Sequence, residues 1–239
     1  NGYHGWHDWY LSLNLNGEMG LDHNLLPGLS PVGVPKQLKN SVDFFESGDL
    51  AKIRKELSSG DYAALKMEVM RNHRPTEGYL KEIKEICDIN KVLLIFDECT
   101  SGFREAFGGM HLNYSVSPDI CVLGKTIGNG FPLTCVLGSE EIMKESASTF
   151  MSSTFWTERI GFVAALKTLE IMEKEKSWLR ITELGEFYKK TLSEVFEELE
   201  LNYEWSGMPA LIGYQIKGCS WPSLKTFIVD EFLEKGYLH

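Results

Sequence analysis

Short, continuously apolar runs alternate with a helical segment in the middle of the chain, and this alternation constrains the fold more than any other feature. Residues 92–96 are apolar at every position, as expected of a strand that is buried on both faces of a sheet. Residues 120–123 and 134–137 have the same strand character, and residues 77–90 carry apolar side chains at the spacing of a helix. Such alternation predicts an α/β fold, with a largely parallel sheet covered by helices.

Further elements are predicted on either side of this region. We expect a strand at 40–45, a helix at 49–58 and a strand at 63–67, followed after residue 157 by helices at 158–173 and 182–199, a strand at 210–216 and a helix at 223–235. The two later helices are predicted to bury stripes formed by Ile160, Val163, Leu166 and Leu169, and by Leu184, Phe187, Tyr188, Leu192, Val195 and Phe196. These elements suggest a large domain over residues 1–175 and a smaller α+β domain over residues 176–239.

Composition excludes several classes of protein. The chain has 239 residues, which suits one large domain with a smaller attachment. Its 24 basic and 34 acidic residues give a net charge of −10, which argues against nucleic acid as a partner. No apolar run approaches the length of about 20 residues that a membrane helix needs. The 5 cysteines form no CxxC pair, and this pattern predicts a reducing, cytoplasmic location.

Three polar features follow predicted strands, at the sheet edge where α/β proteins bind ligands. Asp97 and Glu98 come directly after the apolar run; they suit either a loop or a carboxylate that balances a buried cation. Lys125, in a glycine-rich segment, is either a solvated side chain or an amine nucleophile. The hydroxyl-rich residues 152–157 suit either phosphate binding or a simple helix cap at Thr157.

Two other kinds of site receive little support. Residues 124–126 read Gly-Lys-Thr, like the end of a P-loop, but Asp119 stands where a nucleotide-binding loop needs its first glycine. A metal site could be assembled only from residues that match no common zinc spacing, so no metal is expected. Those residues are His4, His7, Asp8 and His23.

Several motifs occur in an order that resembles the class III aminotransferases, which are pyridoxal-phosphate (PLP) enzymes of fold type I. The motifs are residues 96–104, 117–120, 123–132 and 153–156, and the similarity is greatest to the glutamate-1-semialdehyde aminomutase branch. The resemblance implies transfer of an amino group of a small molecule through a lysine aldimine, in a homodimer with shared active sites. An intramolecular 2,1-aminomutase and a catalytically degenerate scaffold are the alternatives.

The same resemblance assigns roles to four residues around the cofactor ring. Lys125 would hold PLP covalently and later move the proton at the substrate Cα. Asp97 would pair with the pyridine nitrogen and keep it protonated. Tyr3 would stack on one face of the ring, and Cys99 would pack on the other.

Three further residues receive roles at the periphery of the cofactor. His4 and Glu68 would lie on the phenolic side of the cofactor. Thr154 would bind the phosphate group of the cofactor held by the neighbouring subunit. Val69 follows Glu68 where the family usually has proline.

We also expect the 239 residues of this chain to be an incomplete enzyme. In the family, a phosphate-binding turn precedes the residue that corresponds to Tyr3, and no such turn occurs in this sequence. The chain alone should therefore bind PLP weakly, lack activity and be poorly soluble.

Overall fold

The structure is a computed structural model that describes residues 2–15 and 30–238. The chain forms two compact units, Asn1–Trp178 and Leu179–His239. The predicted division into a large domain over residues 1–175 and a smaller α+β domain over residues 176–239 stays a prediction. His23, from the candidate metal ligands, lies outside the described residues.

A four-stranded sheet in the order β1-β2-β3-β4 is the centre of the first unit. Its strands are β1 (Ala64–Glu68), β2 (Leu93–Glu98), β3 (Ile120–Leu123) and β4 (Cys135–Gly138). The first three are parallel and β4 runs antiparallel to β3. The prediction of an α/β fold with a largely parallel sheet is confirmed. β4 is not buried on both faces, however, because Val136 and Leu137 are half exposed.

The two faces of this sheet differ in burial. One face is buried, and its side chains include Leu65, Met67, Leu94, Phe96, Cys121 and Leu123. The other face is only partly covered, and Ile95, Ile120 and Val122 line a groove of about 1460 Å³ on it. The alternation of side chains along each strand separates these two sets.

Among the described residues of the first unit, five α-helices precede residue 176. They are α1 (Asp8–Leu11), α2 (Leu50–Leu57), α3 (Tyr79–Asn90), α4 (Glu140–Ser146) and α5 (Ile160–Glu175). Asp49 caps α2 by accepting a hydrogen bond of 3.0 Å from the main-chain N–H of Lys52. The predicted helices at 49–58 and 77–90 are confirmed.

The predicted strand at residues 40–45 is wrong. None of these residues belongs to a strand of the described structure; residue 40 lies in a turn, residues 41–42 form bends and residues 43–45 have irregular backbone. Val42 and Phe44 instead pack against the buried pair Tyr10 and Leu13. Alternating apolar residues therefore reflect contact with the N-terminal segment here, not membership of a sheet.

The buried stripe predicted for α5 is also largely wrong. Ile160, Val163 and Leu166 are 62%, 63% and 68% exposed. The buried residues of this helix are Gly161, Ala165 and Met172, joined by the partly buried Leu169. Small residues face the core because the loop that contains Phe131 packs close to this helix. A Cβ at Gly161 would lie 3.3 Å from the ring of Phe131.

The second unit contains a hairpin and helical segments. α6 (Ser177–Glu198) leads into it, β5 (Tyr203–Met208) and β6 (Leu211–Ile216) pair antiparallel, and α7 (Trp221–Glu234) follows. Of the stripe predicted for α6, Phe196 is buried, whereas Leu184, Phe187, Tyr188 and Val195 are exposed. In the part of the chain that the structure describes, no helix combines the length and apolar character needed to cross a membrane.

Glu98 is a structural carboxylate that closes the loop after β2. Its side chain is fully buried and accepts hydrogen bonds from Ser101 Oγ (2.8 Å) and from the main-chain N–H of Met110 (2.5 Å) and His111 (3.0 Å). It also accepts one from His111 Nδ1 at 2.5 Å. Gly109 is needed at this point, because a Cβ there would lie 2.7 Å from Glu98 Oε1. The carboxylate thus fixes residues 99–111 against the sheet.

We expect Glu98→Gln to lower the free energy of unfolding by about 2–3 kcal/mol, because an amide NH₂ would face donors that now bond to a carboxylate oxygen. Urea unfolding measures this loss. Glu82→Gln is the matched control: its carboxylate is paired with Arg54 on the surface and should contribute less than about 1 kcal/mol. Equal effects of the two substitutions would contradict the structural role of Glu98.

Candidate active site

The polar residues singled out by the sequence meet at one edge of the sheet. Glu68 ends β1, Asp97 lies next to the end of β2, and the two residues are register partners. Gly124 and Lys125 follow β3 directly. Since β1, β2 and β3 are parallel, their carboxyl ends lie together, where α/β proteins place ligands.

Asp97 is a buried carboxylate surrounded by donors. Its Oδ2 lies 2.9 Å from His4 Nδ1 and 3.2 Å from Lys66 Nζ, and its Oδ1 accepts a hydrogen bond of 3.3 Å from the main-chain N–H of Cys99. Burial would raise the pKa of Asp97, but the hydrogen bond from His4 and the charge of Lys66 outweigh it and lower that pKa to about 2. Asp97 is therefore an anion at neutral pH, and His4 is its hydrogen-bond donor.

Glu68 has the opposite character. Its side chain is 6% exposed, Arg71 Nη1 lies 3.3 Å from Oε1, and Oε2 is buried without a hydrogen-bond partner. Burial raises the pKa of Glu68 to about 7, and the charge of Asp97 adds to this rise, whereas Arg71 opposes it. The main chain of Tyr3 also opposes the rise in this pKa, so the N-terminal segment lies close to Glu68 at the sheet edge.

Lys125 is held in a strained turn at the mouth of the site. Its φ is +46°, in the left-handed region, and its exposed Nζ donates a hydrogen bond of 3.0 Å to Thr100 Oγ1. The positive charge of Lys125 opposes the rise in the pKa values of both Glu68 and Cys99. Its amine therefore lies close to this cluster.

Cys99 packs against the turn that carries Lys125. A Cβ at position 124 would lie 3.1 Å from Cys99 Sγ, so Gly124 permits this close approach. Burial raises the pKa of Cys99 to about 11, and Asp97 contributes to the rise. Its thiol is therefore neutral at pH 7 and serves for packing, not as a nucleophile.

The structure brings six of the seven predicted residues together and leaves one apart. The six are Tyr3, His4, Glu68, Asp97, Cys99 and Lys125. Thr154 is exposed, and among the described residues no hydrogen bond or ion pair joins it to the cluster. The ring of Tyr3 is accessible, since this residue is 39% exposed.

The start of α5 differs from the helix cap predicted at Thr157. Glu158 caps this helix: its carboxylate accepts hydrogen bonds from the main-chain N–H of Ile160 (2.7 Å) and Gly161 (3.1 Å). The cap predicted at Thr157 is therefore wrong, because the longer Glu158 side chain reaches the free N–H groups. Phosphate binding by residues 152–157 stays a prediction.

Sequence reasoning missed Lys66 and Trp9. Lys66 lies two residues before Glu68 on β1, on the same face, and its Nζ is 5.2 Å from the centre of the Trp9 ring. A lysine inside an otherwise apolar strand was the available signal.

Metal binding receives no support from the described residues. Glu98, His111 and Cys121 place possible ligand atoms within 4.8 Å of one another, but the oxygens of Glu98 are already occupied by four donors. His4 is bonded to Asp97, and His7 stacks on Trp6, so these two histidines form no ligand set together.

Comparisons with known proteins agree with one another. A sequence model described as "Aminotransferase class-III" matches residues 2–238. A 3-aminobutyryl-CoA aminotransferase from Cloacimonas acidaminovorans is 30% identical, over 96% of this chain and 51% of that protein. A glutamate-1-semialdehyde 2,1-aminomutase from Methanothrix thermoacetophila is 34% identical, over 88% of this chain and 49% of that protein. The chain thus spans about half the length of these curated relatives.

A solved structure shows the same fold. FumI from a Sphingopyxis species, a structure that contains PLP, superposes with a TM-score of 0.79 at 19% identity. The match covers 91% of this chain and 50% of that one. The prediction of a fold-type I architecture is confirmed.

The pKa of Glu68 predicts a pH dependence of stability. Its value rises from 4.5 to about 7 on folding, so the folded chain keeps a proton that the unfolded chain loses in this interval. Relative to a neutral side chain, Glu68 does not reduce the free energy of unfolding below pH 4.5. Its destabilising effect grows as the pH rises from 4.5 through 7. We expect the free energy of unfolding of Glu68→Gln, relative to that of the parent chain, to increase by up to about 3 kcal/mol between pH 4.5 and 8.

Urea unfolding of both chains at several pH values measures this gain. Glu82→Gln, at an exposed carboxylate, should keep a constant difference from the parent chain over the same range. A constant difference for Glu68→Gln as well would show that Glu68 ionises normally in the folded chain.

Proposed function

This chain belongs to the class III aminotransferases, and on that premise we propose that it supplies the cofactor-binding core of a PLP-dependent enzyme that transfers an amino group of a small molecule. The activity is proposed for the whole protein, because the chain spans about half the length of its relatives. The 2,1-aminomutase would use the same residues, and no contact in the site favours it.

The observation that carries this proposal is the ionised, buried carboxylate of Asp97 at the carboxyl end of β2, with Lys125 just after the end of the neighbouring strand β3. An acceptor that stays charged at neutral pH suits a protonated pyridine nitrogen, and an accessible primary amine suits an aldehyde. The unpartnered Oε2 of Glu68 leaves one buried acceptor for a ligand. These residues fit PLP.

When bound, PLP supplies an electron sink that stabilises negative charge at the substrate Cα. Asp97 would hold the ring nitrogen, with His4 behind it as its donor. The contact with Asp97 favours this place for His4 over the phenolic side that the resemblance assigned to it. Tyr3 and the neutral thiol of Cys99 would bracket the ring, and Lys125 Nζ would take and return the proton at Cα.

Lys125 should be the residue that reacts with the cofactor. Incubation of this chain with excess PLP, followed by borohydride reduction and peptide mapping, should label the Lys125 peptide. Lys125→Ala should lose the label, and the whole enzyme with this substitution should be about 10²–10⁴-fold slower. Lys66→Met is the control, since its amine is also close to Asp97; a label that depends on Lys66 and not on Lys125 would overturn the assignment.

We further propose a cytoplasmic homodimer with shared active sites. An apolar patch on α5 supports the dimer: Ile160, Val163 and Leu166 are exposed together, next to Phe155 and Trp156. Thr154 lies in the same exposed segment, which suits a residue that reaches the phosphate of a neighbouring subunit. The cytoplasmic location is supported by the five cysteines, all of which are free.

Val163→Glu should weaken the dimer because it places a charge in the apolar patch. Light scattering should show a mass of twice 27.1 kDa for the parent chain and a shift toward 27.1 kDa for the variant. Val32→Glu is the matched control, because Val32 is 90% exposed and lies outside the patch. A parent chain that is monomeric at all concentrations, or equal shifts in both variants, would contradict this interface.

A further inference from the structure

Lys66 holds a position that the proposed chemistry leaves unexplained. It lies in the middle of β1, yet its ammonium group turns to the buried carboxylate of Asp97, 3.2 Å away. The Lys66 side chain is 25% exposed, and the ring of Trp9 lies against its Nζ at 5.2 Å. Lysine side chains usually extend to solvent. The contacts of Lys66 with an anion and an aromatic ring therefore indicate a specific role for its charge.

We propose that Lys66 is a positioning residue that shares Asp97 with the ring nitrogen of the cofactor and makes that nitrogen less basic. This inference rests on the proposed PLP function. It concerns a residue of β1 that would act through Asp97 and need not touch the substrate.

The hydrogen-bonding capacity of Asp97 supports this role. Oδ2 is occupied by Nδ1 of His4 and by Nζ of Lys66, whereas Oδ1 accepts a weaker bond, of 3.3 Å, from the main-chain N–H of Cys99. A ring N–H therefore has Oδ1 to approach. It would meet a carboxylate whose negative charge is already balanced by the ammonium group.

The other charges that face this carboxylate do not cancel the effect. Glu68, the register partner of Asp97, is itself compensated by Arg71 at 3.3 Å. Lys125 adds a second positive charge at the same sheet edge until its amine reacts. A ring nitrogen that takes up a proton here gains less from Asp97 than it would beside an uncompensated carboxylate.

The test compares the binding of PLP with that of 1-deaza-PLP, in which carbon replaces the ring nitrogen. The preference for PLP over this analogue isolates the interaction of the nitrogen with Asp97. Lys66→Met removes the charge and keeps the length of the side chain, so we expect the preference to rise about tenfold, which corresponds to one pKa unit. Lys66→Arg keeps the charge and should restore the preference of the parent chain to within about twofold.

A second readout is independent of relative affinity. The ¹⁵N chemical shift of the ring nitrogen in labelled PLP should show protonation at a higher pH in Lys66→Met than in the parent chain, by about one unit. Lys66→Gln, which keeps a hydrogen-bond donor without charge, should behave like Lys66→Met and replaces it if the methionine variant does not fold. Lys81→Met, at an exposed position on α3, is the control for loss of a lysine elsewhere.

Each outcome decides the matter. An unchanged or smaller preference for PLP in Lys66→Met or Lys66→Gln, with PLP still bound at Lys125, would overturn this inference and leave the proposed function intact. An equal rise in Lys81→Met would also overturn it. Failure of the parent chain to bind either compound, even in excess, would overturn the proposed function and this inference with it.

Discussion

The rest of the site depends on how the chain keeps the Asp97 carboxylate ionised where water is largely excluded. Burying a charge is costly unless partners compensate for it. Here the compensation comes from three separate segments: His4 from the N-terminal region, Lys66 from β1 and the main-chain N–H of Cys99 from the loop after β2. Each of these segments is therefore tied to the same carboxylate, and the anion organises the sheet edge as well as its chemistry.

The neighbouring residue shows how one strand serves two purposes. Asp97 and Glu98 are adjacent, and the alternation of side chains along β2 sends them to opposite faces of the sheet. Asp97 lies on the same face of β2 as Ile95, which lines the groove, whereas Glu98 faces the interior and binds the loop that contains Met110 and His111. The loop is thus fastened on one face while the other face stays available to a ligand. Two adjacent carboxylates have different functions only because strand geometry separates them.

Much of the sheet could be predicted from the sequence, since buried parallel strands read as continuous apolar runs. Residues 93–96 of the first run lie in β2, and residues 120–123 form β3. The sheet edge could be predicted for the same reason, because Asp97 and Lys125 follow those runs. Errors arose where apolar spacing does not report burial in this chain. The stripe of α5 points outward, and its small residues Gly161 and Ala165 pack inward, a choice that depends on the loop they meet.

Other features had no local signal that a strand or helix pattern could carry. The strand β5 (Tyr203–Met208) contains Glu204, Ser206 and Gly207, so it does not read as an apolar run, and it forms by pairing with β6. In the sequence, Lys66 is simply a charged residue in a short predicted strand. Its contact with Asp97 depends on the register of β1 and β2, which places Glu68 opposite Asp97 and so brings Lys66 within reach of the same carboxylate. Tertiary partners, not the local sequence, decide both cases.

The two acids at the sheet edge differ because positive charge is distributed unequally between them. Asp97 has His4 and Lys66 at hydrogen-bond distance, and its pKa is low. Glu68 is paired with Arg71 at 3.3 Å, its Oε2 has no hydrogen-bond partner among the described residues, and burial raises its pKa to about 7. An acid that never gains a proton near neutral pH suits a permanent charge partner. An acid that titrates near neutral pH can accept or donate a proton as a ligand requires. Because these residues are register partners on adjacent strands, one structural edge presents a fixed anion and a switchable acid side by side, and a ligand that spans both would meet different chemistry at its two ends.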